Sequence, residues 1–421
     1  MNARNRFPLR GGNWNNGSNA GLGALNLNNG RSNANSNIGF RPALEYARSN
    51  IPKGVCQCDF EKDAASSAIA EKEIKPVDAS IGCTYEKIYQ FENILNAAYQ
   101  CRKGKTTSAS ALAFFNNLEE NIVQIQNELM WEMYSVLPYR HFYVFEPKRR
   151  LISAPHFKDR VIHRAIYNVI EPLFDKQYIY DSYACRKGKG AHVGADRAQH
   201  FIKQVESESG KAYALKADIS KYFSSIDHQI LKNILGAKLK CQRTRNLLFY
   251  IIDNSPNDAA GVGIPLGNLT SQIFANIYLH ELDHFAKHTL KARRYIRYMD
   301  DFTIIHHDKR ALHEYREKIE GFLYKNLRLK TNSKTQVFPI AKTRGRSLDF
   351  LGYRIFANHR LLRKSSVKRI STKLKKFRKE FSQGKVTLAE INQCVQSWLG
   401  HASHANTHSI KLKLFNTPFK R

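Results

Sequence analysis

Tyr298-Met299-Asp300-Asp301 stands between two apolar stretches, Arg294-Tyr-Ile-Arg297 and Phe302-Thr-Ile-Ile305. That context predicts strand, tight turn, strand, with two carboxylates at the tip. Adjacent carboxylates repel unless a cation lies between them, so the turn is a candidate for a divalent ion held by hard oxygen ligands. Asp-Asp is also ordinary turn chemistry, and other segments must decide between the two.

Three do. Ala212-Tyr-Ala-Leu-Lys-Ala-Asp218 alternates as a strand and delivers a third carboxylate at its end, followed by Ile219-Ser-Lys-Tyr222-Phe223. Gly263-Ile-Pro-Leu266-Gly267-Asn-Leu-Thr-Ser-Gln272 is a Gly/Pro loop that leads into Ile273, Phe274, Ile277, Leu282 and Phe285 at helical spacing. The bare Gly267 would let another group approach the backbone closely, a base pair being the expected one. Phe350-Leu351-Gly352-Tyr353 is a short apolar strand with a central glycine, which by itself says little.

In order, these segments resemble the motif series of reverse transcriptases. Glu146-Pro-Lys148-Arg-Arg150-Leu-Ile152 with Asp159-Arg160-Val-Ile-His163 resembles the first motif, and Ser182-Tyr-Ala-Cys-Arg186-Lys-Gly-Lys-Gly190-Ala-His192 the second. The Asp218 segment resembles the third, the Gly267 loop the fourth, Tyr298 to Asp301 the fifth, Leu327 to Thr335 the sixth and Phe350 to Tyr353 the seventh. The resemblance implies an α+β right-hand polymerase with fingers, a palm built on an antiparallel sheet, and a helical thumb. It implies that Asp218, Asp300, Asp301 and the Ile219 carbonyl hold two Mg²⁺ ions, Mn²⁺ being a possible substitute, one activating the primer 3′-hydroxyl and the other the triphosphate. Phe223 would stand beside the sugar of the incoming dNTP and exclude a 2′-hydroxyl, whereas Tyr222 reads as a core aromatic. Lys148, Arg150, Arg160 and Arg186 are candidate cations for the triphosphate, with Leu266, Gly267 and Gln272 near the nascent pair. Lys334 would serve the leaving pyrophosphate. Tyr298, Met299, Phe350, Leu351, Gly352 and Tyr353 would face primer and template, and Ser182, Lys187 and Lys189 the template.

The fourth motif narrows the resemblance. Most of the superfamily carries Gln at the position of Leu266 and Pro at that of Gln272, and the departure here resembles diversity-generating retroelement enzymes. Ser397-Trp-Leu-Gly-His-Ala-Ser-His-Ala-Asn406 resembles their thumb. Residues 1–40 hold 12 Asn and 7 Gly, with no acidic residue before Glu45, and so resemble a template repeat read in frame. The subclass implies error-prone cDNA synthesis opposite adenine on a template RNA, with a small basic accessory variability protein as partner, in a bacterial or phage-encoded system. Retron and group II intron enzymes share the seven motifs, but the chain shows no retron-type Val-Thr-Gly segment and no room for maturase and endonuclease domains after the thumb. A noncatalytic basic RNA-binding scaffold would require the three carboxylates to be coincidental.

Composition fits this class. Sixty-seven Lys and Arg against 36 Asp and Glu give +31, which calls for a polyanionic partner, nucleic acid before anionic membrane. No apolar run approaches membrane-spanning length, no secretory signal is visible, and seven cysteines without zinc spacing read as free thiols, so the cytoplasm is the expected compartment. The expected organisation is a template-repeat-like leader over 1–45, a linker over 46–80, an N-terminal extension and fingers over 81–199, a palm over 200–353 and a basic helical thumb over 354–421. From Arg360 to Lys379 there are ten basic residues and no acid, with Val367, Ile370, Leu374, Phe377 and Phe381 at helical spacing. Thr387 with Glu390 predicts a capping box for the next helix.

Overall fold

The computed structural model describes residues 84–145, 149–256, 259–341 and 345–419. It divides into two units, Met1–Ala79 and Ser80–Arg421. In the first, only the backbone of a two-residue antiparallel ladder, Leu9–Arg10 with Leu25–Asn26, is described. The template-repeat reading of residues 1–45 and the linker reading of 46–80 otherwise lie outside the described residues.

The second unit begins with four helices, α1 (Thr84–Tyr89), α2 (Phe91–Arg102), α3 (Ala109–Asn116) and α4 (Leu118–Met130). A hairpin of β1 (Arg140–Val144) and β2 (Arg150–Ala154) precedes α5 (Phe157–Asp175) and α6 (Ala191–Ser209). Next come β3 (Ala212–Asp218), α7 (His228–Lys238), α8 (Gln242–Asp253), α9 (Leu269–His284), β4 (Tyr295–Tyr298), β5 (Asp301–His306), α10 (Lys309–Leu327) and β6 (Gln336–Ile340). Three short strands, β7 (Leu348–Phe350), β8 (Tyr353–Ile355) and β9 (Arg360–Leu362), form a small sheet before α11 (Lys364–Ser382), α12 (Leu388–Ala402) and α13 (His408–Phe415).

The central sheet is antiparallel in the order β4-β5-β3-β6. Side chains alternate across a strand, so each face of this sheet has its own partner. Leu215, Ala217, Tyr295, Phe302 and Ile304 join one core with α5, α7, α9 and α10. Ala212, Ala214, Ile296 and Ile305 join a second core with Phe201, Ile202 and Val205 of α6 and with the small sheet. Helix α9 is buried almost all round, from Thr270 to Asp283, because it runs between the palm and α5. This is the right-hand polymerase fold, its palm an antiparallel sheet backed by helices.

Local signals explain the thumb. Thr387 Oγ accepts from the Glu390 N–H while the Glu390 carboxylate accepts from the Thr387 N–H, so the capping box forms as expected. Helix α11 buries Ile370, Leu374 and Phe381 and leaves its lysines exposed. Among the described residues no helix is long and apolar enough to cross a membrane. Cys101, Cys185 and Cys394 are free thiols, as expected; Cys241 is disulfide-bonded, which departs from that expectation.

Candidate active site

The hairpin forms where the sequence places it, with Tyr298 paired to Asp301 and Met299 at φ 55°, a left-handed turn residue. Asp218, the last residue of β3, lies directly opposite Asp301 in the ladder. Three carboxylates from two distant segments thus come to one end of the sheet, Asp218 and Asp301 on the face that carries Ala212 and Ala214 and Asp300 in the adjoining turn. Burial, and next the Asp218 charge, push the Asp300 carboxyl up to about 6. A carboxylate crowded by burial and a like charge is the donor environment that a hard divalent cation relieves.

Asp301 has a different partner. The Lys216 ammonium sits 2.6 Å from its carboxylate, both of them half-buried. Burial raises the Asp301 carboxyl, and Lys216 pulls it back. Lys216 and Asp218 are two apart on β3 and therefore share a face. Among the described residues no set of three His, Cys, Asp or Glu side chains is gathered tightly enough to hold a metal ion, because Asp301 turns to Lys216 while Asp300 turns to Asp218. The donor chemistry fits a divalent ion, with Asp218 and Asp300 as the preformed pair.

Around this cluster the other motifs assemble. The Asn332 N–H donates to the Asp218 carbonyl at 2.7 Å, and the Ser220 N–H to the Lys330 carbonyl at 2.9 Å. The loop bearing exposed Lys334 is therefore stitched to the end of β3. Ile219 is buried and bridges Thr331, with its side chain in the core. Tyr222 is a core aromatic as expected, its hydroxyl donating to the Ala275 carbonyl. Phe223 is half-buried, its ring edge-on to Tyr222 and its carbonyl accepting from the Ile264 N–H at 2.9 Å. Gln272 lies in the first turn of α9, and its Oε1 accepts from the Cys185 thiol at 3.5 Å. Burial and then Cys185 raise the phenol of Tyr298, so Tyr298, Cys185 and Gln272 are neighbours.

Several expectations change. The β2 backbone is a close neighbour of Gly267: a Cβ there would stand 2.8 Å from the Ser153 carbonyl oxygen, and the Ser153 N–H donates to the Leu266 carbonyl at 2.9 Å. Gly267 also needs φ +123°, which suits glycine. Arg186 is not free for a triphosphate; its guanidinium holds Asp175 and the carbonyls of Ile179 and Ser182, tying down its own loop. Arg160 is half-buried and donates to the Pro155 carbonyl, whereas Arg150 is exposed on the β1–β2 hairpin. Lys148 lies outside the described residues. Phe350 and Tyr353 are fully buried, so their rings pack the second core and are not free to face a primer. Between them Leu351 (φ 53°) and Gly352 (φ 89°) make the turn, Leu351 packing against Gly194. Ser182 is likewise buried beneath the hairpin and cannot face a template. Lys189 stacks on Tyr180, while Lys187 is exposed.

Sequence reasoning missed Lys216, Cys185 and Arg297. The first had a signal in its two-residue spacing from Asp218. Cys185 depends on Gln272, 87 positions later, and Arg297 on Asp283 of α9 and on Ser182, 115 positions earlier.

Comparison with known proteins bears on this geometry. Residues 146–355 match the family model for reverse transcriptase (RNA-dependent DNA polymerase). The chain is 26% identical over 287 residues to Protein YkfC of Escherichia coli, spanning 58% of this chain and 71% of that one. It is 25% identical over 276 residues to the group II intron-encoded protein LtrA of Lactococcus lactis, spanning 60% of this chain and 44% of LtrA. Apo telomerase from Candida tropicalis superposes with a TM-score of 0.43 at 14% identity, covering 58% of this chain and 53% of that one. Strand order and the carboxylate hairpin, together with the family match, carry the fold assignment.

Proposed function

We propose that this chain, which carries a reverse transcriptase domain over residues 146–355 and is an RNA-directed DNA polymerase, is the mutagenic enzyme of a diversity-generating retroelement. The observation that carries the finer reading is Leu266-Gly-Asn-Leu-Thr-Ser-Gln272, which departs from the Gln and Pro of most of the superfamily. Leu266 is half-buried, with its carbonyl committed to Ser153. An apolar side chain there offers no hydrogen bond to police the nascent pair, an omission worth on the order of 1 to 3 kcal/mol, or about tenfold or more in discrimination.

Asp218 and Asp300 would hold Mg²⁺ with Asp301 and the Ile219 carbonyl, the ions lowering the pKa of the primer hydroxyl and neutralising the triphosphate when bound. The chain's own contribution is to position. Asp218 and Asp300 crowd their charge at one point, Phe223 closes the side where the sugar would lie, and the basic thumb helix follows the phosphate backbone. Template RNA and DNA primer are the proposed partners, with a small basic accessory variability protein and a cytoplasmic location. The rival reading, a group II intron type enzyme, draws on the likeness to LtrA.

Sequencing cDNA made on one RNA by wild type and Leu266→Gln, with and without the accessory protein, separates them. We expect errors concentrated at template adenines, reduced severalfold in Leu266→Gln, and longer cDNA with the accessory protein. Uniform, low error at all four bases would favour the intron-type enzyme.

A further inference from the structure

Arg297 is the largest fully buried side chain among the described residues, an arginine with no exposure one residue before the carboxylate hairpin. Its fork is fully engaged. Nε and Nη2 meet the two Asp283 oxygens at 2.6 Å each, and Asp283 is itself unexposed on α9. Nη1 donates to the Met299 carbonyl at 2.9 Å and to Asn276 at 3.3 Å; Nη2 donates to Ser182 at 3.2 Å. Tyr295 donates to the same Asp283 at 2.8 Å. The Arg297 backbone is paired as well, its N–H to the Asp181 carbonyl and its carbonyl to the Tyr183 N–H, both at 3.0 Å.

A buried arginine is a costly way to gain stability, because desolvation consumes most of the attraction. What this one reaches is informative: the carbonyl of Met299, the left-handed residue directly before Asp300. We propose that Arg297 is the positioning residue of the hairpin: anchored on Asp283, it fixes the Met299 peptide and thereby the direction in which Asp300 and Asp301 point. Through Ser182 and Asn276, whose amide donates to the Ala184 carbonyl, the same fork sets the Ser182–Arg186 segment, and with it Cys185, against the hairpin. The inference rests on the polymerase reading and deepens it.

The test replaces the network by apolar groups of similar size, Arg297→Met with Asp283→Leu and Tyr295→Phe, a change that can leave a fold intact. Arg297→Lys, which keeps the charge and loses the fork, is its companion. Thermal melts, the Mg²⁺-induced rise in melting temperature, and single-nucleotide extension across Mg²⁺ and dNTP concentrations are read for each, beside Asp300→Asn. We expect folded variants with kcat down about tenfold to a hundredfold, as a misplaced reacting group costs. The Mg²⁺ midpoint should rise severalfold in both extension and melting, with the dNTP KM within about twofold. A folded variant with wild-type kcat and Mg²⁺ midpoint overturns the proposal. So does failure of both variants to fold, since Arg297 would then serve the fold alone. Activity in Asp300→Asn would instead sink the polymerase reading itself.

Discussion

Asp300 carries a carboxyl pushed up to about 6 by burial and by Asp218, and this fixes how stability should follow pH. A carboxyl whose folded value lies above its unfolded value, near 4, favours folding while protonated. That stability is present below about pH 4 and is lost as pH rises through about 6. With EDTA present, Asp300→Asn should therefore melt above wild type at pH 7 to 8, the difference shrinking toward pH 4 to 5. Extension by the variant should fall below about 1% of wild type, since a metal site supplies several kcal/mol of charge stabilisation. Identical melting-difference curves at pH 8 and pH 4.5 would show that Asp300 is not held in this strained pair. Phe223 gives a second prediction at this scale. Its ring is half-buried beside Tyr222, so trimming it to alanine should preserve the fold and raise rNTP incorporation relative to dNTP by about tenfold or more; an unchanged ratio removes it as the sugar gate.

The elements differ in how far the sequence reveals them. Strand β3 is legible as a short apolar run, Ala212 to Ala217 interrupted only by Lys216, because its two faces meet two different cores. The capping box of α12 is legible because its physics lies within four residues. The role of the Gly267 loop escapes the sequence because its close neighbour, Ser153, is more than 100 positions earlier, and no local pattern announces it. The burial of Phe350 and Tyr353 escapes for the same reason, since the second core that encloses them is built by α6. Arg297 is invisible because an arginine in a strand ordinarily signals solvent. Gly267→Ala tests the contact between this loop and β2. Its Cβ would collide with the Ser153 carbonyl at 2.8 Å in a backbone conformation that disfavours side chains, so stability should fall by about 1 to 3 kcal/mol. A melt indistinguishable from wild type would show that the loop relaxes away from β2.

At the scale of the whole molecule, charge is unevenly spread: α11 presents exposed Lys364, Lys368, Arg369, Lys373, Lys375, Lys376 and Lys379 on a chain of net charge +31. If that helix follows a nucleic-acid backbone, each phosphate it neutralises releases counterions. Changing Lys368, Lys373, Lys375 and Lys376 to Ser should lower the slope of log affinity against log salt by about 0.7 to 0.9 for every phosphate left unneutralised, while leaving the melting temperature near wild type. An unchanged slope would mean the thumb charges face only solvent. A last consequence concerns how this palm avoids company. A four-stranded open sheet has two flanks on which a foreign chain could add a strand. Here β4, the flank that carries the hairpin, is already paired with the Asp181–Tyr183 segment, and β6 on the opposite flank has Pro339 in its interior, where a donor is missing. The segment that seals β4 leaves the ribosome more than a hundred residues before β4 does, so the edge that carries the hairpin emerges after the chain that covers it has already been made.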